Sequence, residues 1–116
     1  MAEAKSETEK VVPLINSSLR ARQLMEVWSR VIKLDLEGEE RPFYLVINNS
    51  RIEVKETVDK PVDIIILGSM TAFVDVVKGR KDVTYPVAHG QLKLSKEKIA
   101  DIITLSRILR ATERRK

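Results

Sequence analysis

The sequence predicts an α+β domain: a five-stranded, mainly antiparallel sheet with helices packed on one face, in the order α-β-β-β-β-α-(α)-β-α. Three observations carry this. Hydrophobic spacing changes from a helical period to strict alternation after Trp28, and back to a helical period after Gly68. The strand-like runs are grouped, and most helical runs follow them, which separates α+β from alternating α/β chains. At 116 residues and 43% hydrophobic, the chain is one domain able to bury about two-thirds of its unfolded surface.

The first ten residues alternate charges with small polar side chains, and Pro13 follows. Residues 1–13 therefore read as a polar arm or a short exposed helix. Ala21, Leu24, Met25 and Trp28 fall at i, i+3, i+4 and i+7, the stripe of an amphipathic helix that Ser17 or Ser18 caps. From Val31 to Glu37, apolar Ile32, Leu34 and Leu36 alternate with Lys33, Asp35 and Glu37, which makes a half-buried strand. Gly38 and Pro42 bound a turn, and Phe43 to Ile47 forms a second strand. Asn48-Asn49-Ser50 suits the left-handed backbone of a hairpin turn. Arg51 to Glu56 alternates again with Ile52 and Val54 inward, and Val62 to Leu67 is a fourth strand ended by Gly68. Strands one to four are expected to run as an antiparallel meander.

Past Gly68, Ser69 caps a helix whose Met70, Phe73, Val74 and Val77 repeat the amphipathic stripe, and Gly79 stands at its C-terminal end. Asp82 to Ala88 contains Pro86 and reads as one broken helical turn or a loop. Gln91 to Leu94 is a short fifth strand, and Ser95 caps a final helix from Lys96 to about Arg110. Ile99, Ile102 and Ile103 lie on one side of that helix, widened by Leu105, Ile108 and Leu109. The second and fourth strands are apolar on both faces, with Tyr44 and Val46 opposite Leu45, and Ile65 and Leu67 opposite Ile66. A ligand cavity or an oligomer surface would use that excess.

The side-chain inventory argues against chemistry. With no cysteine there is no disulfide, thiolate metal site or cysteine nucleophile, and a single histidine makes no multi-histidine site. His89 has no carboxylate near it in sequence and reads as structural or solvated. Glu39-Glu40 sits in a turn, and the isolated Gly38, Gly68, Gly79 and Gly90 build no phosphate loop. No active site and no cofactor is expected. The apolar run Ile64 to Leu67 is far short of the ~20 residues of a transmembrane helix. Met1 to Glu7 is too polar for a signal peptide, so a soluble, cytoplasmic protein is expected.

Charge is uneven. Residues 59–116 hold 12 Lys/Arg against 7 Asp/Glu, and residues 1–58 hold 9 against 10. Arg107, Arg110, Arg114, Arg115 and Lys116 make the end basic, with residues 111–116 as a tail. Such a tail complements a helix dipole in solvent, or makes transient contact with an anionic membrane surface. Trp28, Phe43, Tyr44, Phe73 and Tyr85 never fall within a Lys/Arg-rich run, so nucleic acid is not an expected partner.

Val62-Asp63-Ile64-Ile65-Ile66-Leu67-Gly68 follows a strand pair joined by a tight turn, and the next helix ends in Lys78-Gly79. Gly90-Gln91-Leu92-Lys93-Leu94 then leads into the final apolar helix. In this order and spacing the chain resembles the sterol carrier protein type 2 (SCP-2-like) family of lipid-binding domains over residues 14–110, with Asn16 through Trp28 similar to the first helix of prokaryotic members. There are departures. Ala88-His89 stands where many members have phenylalanine, and Ser95 where many have a second glycine. Arg114-Arg115-Lys116 is not a Ser-Lys-Leu peroxisomal address. Ligand identity and compartment therefore do not carry over.

The resemblance implies an apolar cavity between sheet and helices that holds a fatty acid, sterol or isoprenoid-like lipid and leaves it unchanged. By strand and helix phase its expected lining is Phe43, Leu45, Ile64 and Ile66 from the sheet and Phe73, Val74 and Val77 from one helix. Ile99, Ile102 and Ile103 come from the last helix, and Leu24 and Trp28 close one side. Some family members are accessory or dimerising modules. The alternative is thus a protein-interaction or homodimerisation module with a filled core and no ligand.

Overall fold

The computed structural model describes residues 3–95 and 99–110, with side chains over 4–95 and 100–110. The chain begins with α1 (Glu3–Ser17) and α2 (Leu19–Glu26), followed by β1 (Arg30–Glu37), β2 (Phe43–Asn48), β3 (Arg51–Lys55) and β4 (Ile64–Ser69). It continues through α3 (Met70–Val77), α4 (Thr84–Ala88), β5 (Leu92–Leu94) and α5 (Ile99–Leu109). The strands hydrogen-bond in the order β3-β2-β1-β4-β5.

The expected four-strand meander is corrected at β4. β1–β2 and β2–β3 are antiparallel hairpins, but β4 lies on the far side of β1 and runs parallel to it. Parallel pairing needs a crossover, and residues 56–63 supply one. Extended chain of that length reaches about 26 Å, more than the ~14 Å of three strand spacings. Thr57, Val58, Asp59 and Lys60 share a cleft with Val31 and Val46, so this strap crosses the face of the sheet opposite the helices. Asp63 starts the new pairing. Its N–H donates to the Val31 carbonyl at 2.8 Å, and its carboxylate accepts the Val31 N–H at 2.8 Å.

Register decides what each face carries. Ile32, Leu45, Val54 and Ile64 form one cross-strand row, and Leu34, Phe43, Ile66 and Leu94 the next. These side chains join those of α2, α3 and α5 in one core. The opposite face carries Val31, Val46 and Glu53 in one row and Lys33, Tyr44, Lys55 and Ile65 in another. The apolar excess of β2 and β4 therefore divides: Leu45 and Ile66 are buried under helices, while Tyr44, Val46 and Ile65 are half-buried and Leu67 is exposed on the strap side.

Of the two readings of the polar opening stretch, arm or short exposed helix, it is a helix, though a long and partly buried one. α1 runs without a break through Pro13, and Ala4, Thr8 and Ile15 are buried. It is tied down at both ends. The Glu39 carboxylate, from the β1–β2 turn, accepts the Ala4 N–H at 2.7 Å and the Lys5 N–H at 3.3 Å, where a helix N-terminus favours negative charge. At the other end the Asn16 amide donates to the Ile52 carbonyl at 3.0 Å and accepts the Ile52 N–H at 2.9 Å.

Of the three helix caps read from serine, two are present: Ser18 accepts from the Ala21 N–H and Ser69 from the Ala72 N–H. Ser95 differs. Its hydroxyl accepts the Ile65 N–H at 2.9 Å and its own N–H donates to the Ile65 carbonyl, extending the β4–β5 ladder by a side chain. The described part of α5 begins at Ile99.

Asp82 joins α4 to α5. It accepts the Thr84 N–H and hydroxyl at 2.9 Å each and Arg110 at 3.2 Å. Partial burial pushes this carboxyl up, but the Thr84 N–H, the Ser106 and Thr84 hydroxyls and Arg110 together outweigh it and hold it below the ordinary 3.8. A carboxyl held below its unfolded value adds stability at pH above 3.8 and loses it as pH falls through the lower folded-state value. Asp82→Asn is therefore expected to lower the melting temperature at neutral pH, with the gap to the parent closing below pH 3.8. A gap of constant size down to the acid limit would show that the carboxylate charge is not what joins the helices.

Candidate functional site

The helix-facing side of the sheet and the helices above it bring most of the sequence-nominated residues together. Phe43, Leu45, Ile64 and Ile66 occupy the two central rows and are buried. α3 is started by the Ser69 cap and buries Phe73, Val74 and Val77 in one core with these strand residues. Phe73 meets Phe43 edge-on, with ring centroids 6.5 Å apart. Val74 and Val77 complete that face, and Ile102 enters the same core from α5. Trp28 closes the layer beside α2, and Leu24 is half-buried against it. Ile103 departs from expectation: it is 39% exposed, on the outward side of α5. The side chain of Ile99 lies outside the described residues.

Other core residues belong to the same layer without having been nominated. Ile32 and Leu34 share the central rows, and Leu105, Ile108 and Leu109 are buried on α5. Their alternation and helical spacing were visible in the sequence. What separates a wall from a filler residue is three-dimensional, so spacing gave no reason to choose among them.

One polar cluster sits at the rim. Asp101, in the first turn of α5, accepts Trp28 Nε1–H at 3.0 Å and Arg30 Nη2–H at 3.2 Å. The Arg30 guanidinium lies 5.0 Å from the centre of the Trp28 ring. Seventy-odd residues separate the partners in sequence, and no local pattern announces the contact. The cluster fastens the start of α5 to the chain between α2 and β1. Apart from Arg30, no titratable side chain stands on the helix-facing rows of the sheet. Among the described residues every buried side-chain polar atom has a hydrogen-bond partner. The layer offers hydrocarbon and no proton donor or acceptor left over.

Among the described residues, clefts lie elsewhere. One of about 610 Å³ lies between the strap and the open face of the sheet, over Val31 and Val46. Another of about 620 Å³ adjoins Lys5, Glu39, Glu40, Arg41 and Glu56, and a third of about 320 Å³ runs between α1 and β3. None of the nominated residues lines any of them. His89, the lone imidazole, stacks on Tyr85 with centroids 4.2 Å apart, and its Nδ1–H donates to the Tyr85 carbonyl. Among the described residues no group of His, Cys, Asp or Glu is placed to hold a metal ion, and no helix is long and apolar enough to cross a membrane.

Comparison with known proteins agrees with this architecture. A model of the SCP-2 sterol transfer family matches residues 9–98. Among solved structures, the sterol carrier protein domain 2 of Helicoverpa armigera superposes with a TM-score of 0.68 at 16% identity, over 94% of this chain and 87% of that one. The apo form of sterol carrier protein 2 from Yarrowia lipolytica gives 0.64 at 16% identity, over 95% and 89%. UbiJ-SCP2, a ubiquinone synthesis protein, gives 0.65 at 16% identity, over 91% and 90%. No curated protein matches in sequence. At these identities the structural likeness is one of fold.

Proposed function

Because the chain belongs to the SCP-2 sterol transfer family, we propose that it binds a single apolar lipid, a fatty acid, sterol or isoprenoid-like chain, between its sheet and helices. The ligand leaves unchanged. The observation that carries this reading is the composition of that layer: Phe43, Leu45, Ile66, Phe73, Val77 and Ile102 face one another with no charged group among them. Only hydrocarbon gains by entering such a space. Burying about ten methylenes is worth roughly 8 kcal/mol before ordering costs, which sets micromolar affinity as the ceiling.

These side chains pack on one another, and a lipid enters in this reading as α5 moves off the sheet. α5 is suited to this. It is fastened at its start by the Asp101 cluster and near its end by Asp82, and the outward Ile103 marks the rim where a chain would slide in.

Native mass spectrometry with organic extraction of the purified protein tests the reading. The expected result is one lipid per chain, and a thermal shift on adding the extracted class back. Ile102→Asp is expected to abolish uptake, with circular dichroism checking that the variant is folded. A clean apo mass, with no thermal shift across fatty acids, sterols and isoprenoids, would overturn it. The chain would then be an interaction module with a filled core.

A further inference from the structure

β4 is apolar on both faces, and only one of them is covered. Ile64 and Ile66 are buried under the helices, while Ile65 is half-buried and Leu67 42% exposed on the other side. β4 runs parallel to β1, and parallel strands are ordinarily buried on both faces. The strap does not supply the cover. The sheet residues that line the cleft beneath it come from β2, β3 and Val31 of β1, and none from β4 or β5.

Leu67 lies at the middle of a cross-strand row. Its partner on one side is Asp35 of β1, and on the other Lys93 of β5. Both are exposed, and among the described residues neither makes an ion pair. The row reads acid, aliphatic, base, with each charge about one strand spacing, ~5 Å, from the leucine. In the next row of the same face, Ile65 stands between Lys33 and Ser95.

From this we infer that the β1–β4–β5 part of the open face binds a second copy of this chain, sheet on sheet, about a two-fold axis along β4. Rotation about that axis exchanges the two sides of β4. It sets Leu67 on Leu67 and Ile65 on Ile65, and brings Asp35 of each copy onto Lys93 of the other. An isologous contact needs a face complementary to itself, and opposite charges at equal distances from an apolar centre make one. Laying the copies together with strands reversed about the same row would set Asp35 on Asp35 and Lys93 on Lys93. The strands of the two sheets therefore run in the same direction, within about 30°. With no net charge, the row gives no advantage to an acidic or a basic partner. From β1 to β5 is two strand spacings, roughly 10 Å, well short of a standard interface, so the dimer is weak and reversible. The face lies across the sheet from the layer proposed to take lipid, and the inference does not rest on that reading.

The test is sedimentation equilibrium of the whole chain from about 10 μM to about 1 mM, the range that reads a weak association. The parent is expected to pass from monomer to dimer across that range. Leu67→Asp should remove the dimer, since two carboxylates would then meet at the axis. Asp35→Lys alone and Lys93→Asp alone each bring like charges together, and each should raise the dissociation constant by roughly tenfold or more. Mixing these two variants should restore a dimer holding one copy of each, because each is then the charge complement of the other. All three positions are exposed, so melting temperatures should stay near the parent value, and circular dichroism checks this. Arg20→Glu, at an exposed position of α2, is the control and should dimerise like the parent. The inference fails if the parent stays monomeric at the top of the range, or if Leu67→Asp associates as the parent does. It fails equally if the mixture associates no better than either variant alone, or if the control loses as much as Asp35→Lys.

Discussion

Phe73→Ala is expected to lower the free energy of unfolding by about 3–5 kcal/mol, the range for removing a fully buried phenyl ring. Phe73 has no exposed surface, belongs to the short helix α3, and meets Phe43 edge-on at 6.5 Å. Its neighbours cannot all collapse into the void. Leu45 and Ile66 stand on strands whose positions are set by ladder hydrogen bonds, and α3 is pinned at its start by Ser69. Much of the loss is thus a cavity term. For a domain of this size the melting temperature should drop by roughly 10–20 °C, read by thermal and urea denaturation. A cost under about 1 kcal/mol would mean that α3 can settle onto the sheet, and that the layer is far softer than its burial indicates.

Gly68→Ala is the second large effect. Gly68 has φ +138°, and a β-carbon built on it would lie 2.2 Å from the Gln91 carbonyl oxygen and 3.0 Å from the Leu92 Cα. Both obstacles are backbone, so β5 as a whole must move. β5 is only Leu92–Leu94, paired to Ile66, Leu67 and Gly68, with Leu92 and Leu94 buried. The unfavourable φ costs about 1–3 kcal/mol, and displacing two buried leucines raises the expected loss to about 4 kcal/mol or more. Gly90→Ala is the control: its φ is +73° but nothing lies within 4 Å, so it should lose only the conformational part. Equal losses for the two variants would remove the close approach of β5 as the reason for glycine at 68.

That same glycine shows what the sequence disclosed and what it withheld. The strands were legible because Ile32, Leu34 and Leu36 alternate with charges, and α3 because Phe73, Val74 and Val77 keep a helical period. Gly68 looked like the end of a strand, yet β4 passes through it to Ser69. Local alternation says nothing of which strand lies alongside, so the parallel β1–β4 pair could not be read from it. α1 read as an arm or an exposed helix because its buried positions include Ala4 and Thr8, too small or too polar to register as a stripe. The candidate layer was largely nominated, since hydrophobic phase is a local property. Its rim was not, because the Asp101 carboxylate meets Trp28 and Arg30 only through the fold.

The two hydrogen bonds between Asn16 and Ile52 have a consequence for the behaviour of many copies in solution. β3 is the outermost strand on its side, and an outermost strand is a template on which another chain can lengthen the sheet. A primary amide can set one N–H and its carbonyl oxygen in nearly the spacing of a peptide group's donor and acceptor. By engaging both backbone groups of Ile52, Asn16 plays the part of a neighbouring strand one residue long. It ends the ladder there, and α1 lies along the same margin. The opposite margin, β5, is three residues long, too short to recruit a stable partner. A sheet capped at one margin and cut short at the other offers little template for lengthening by another chain.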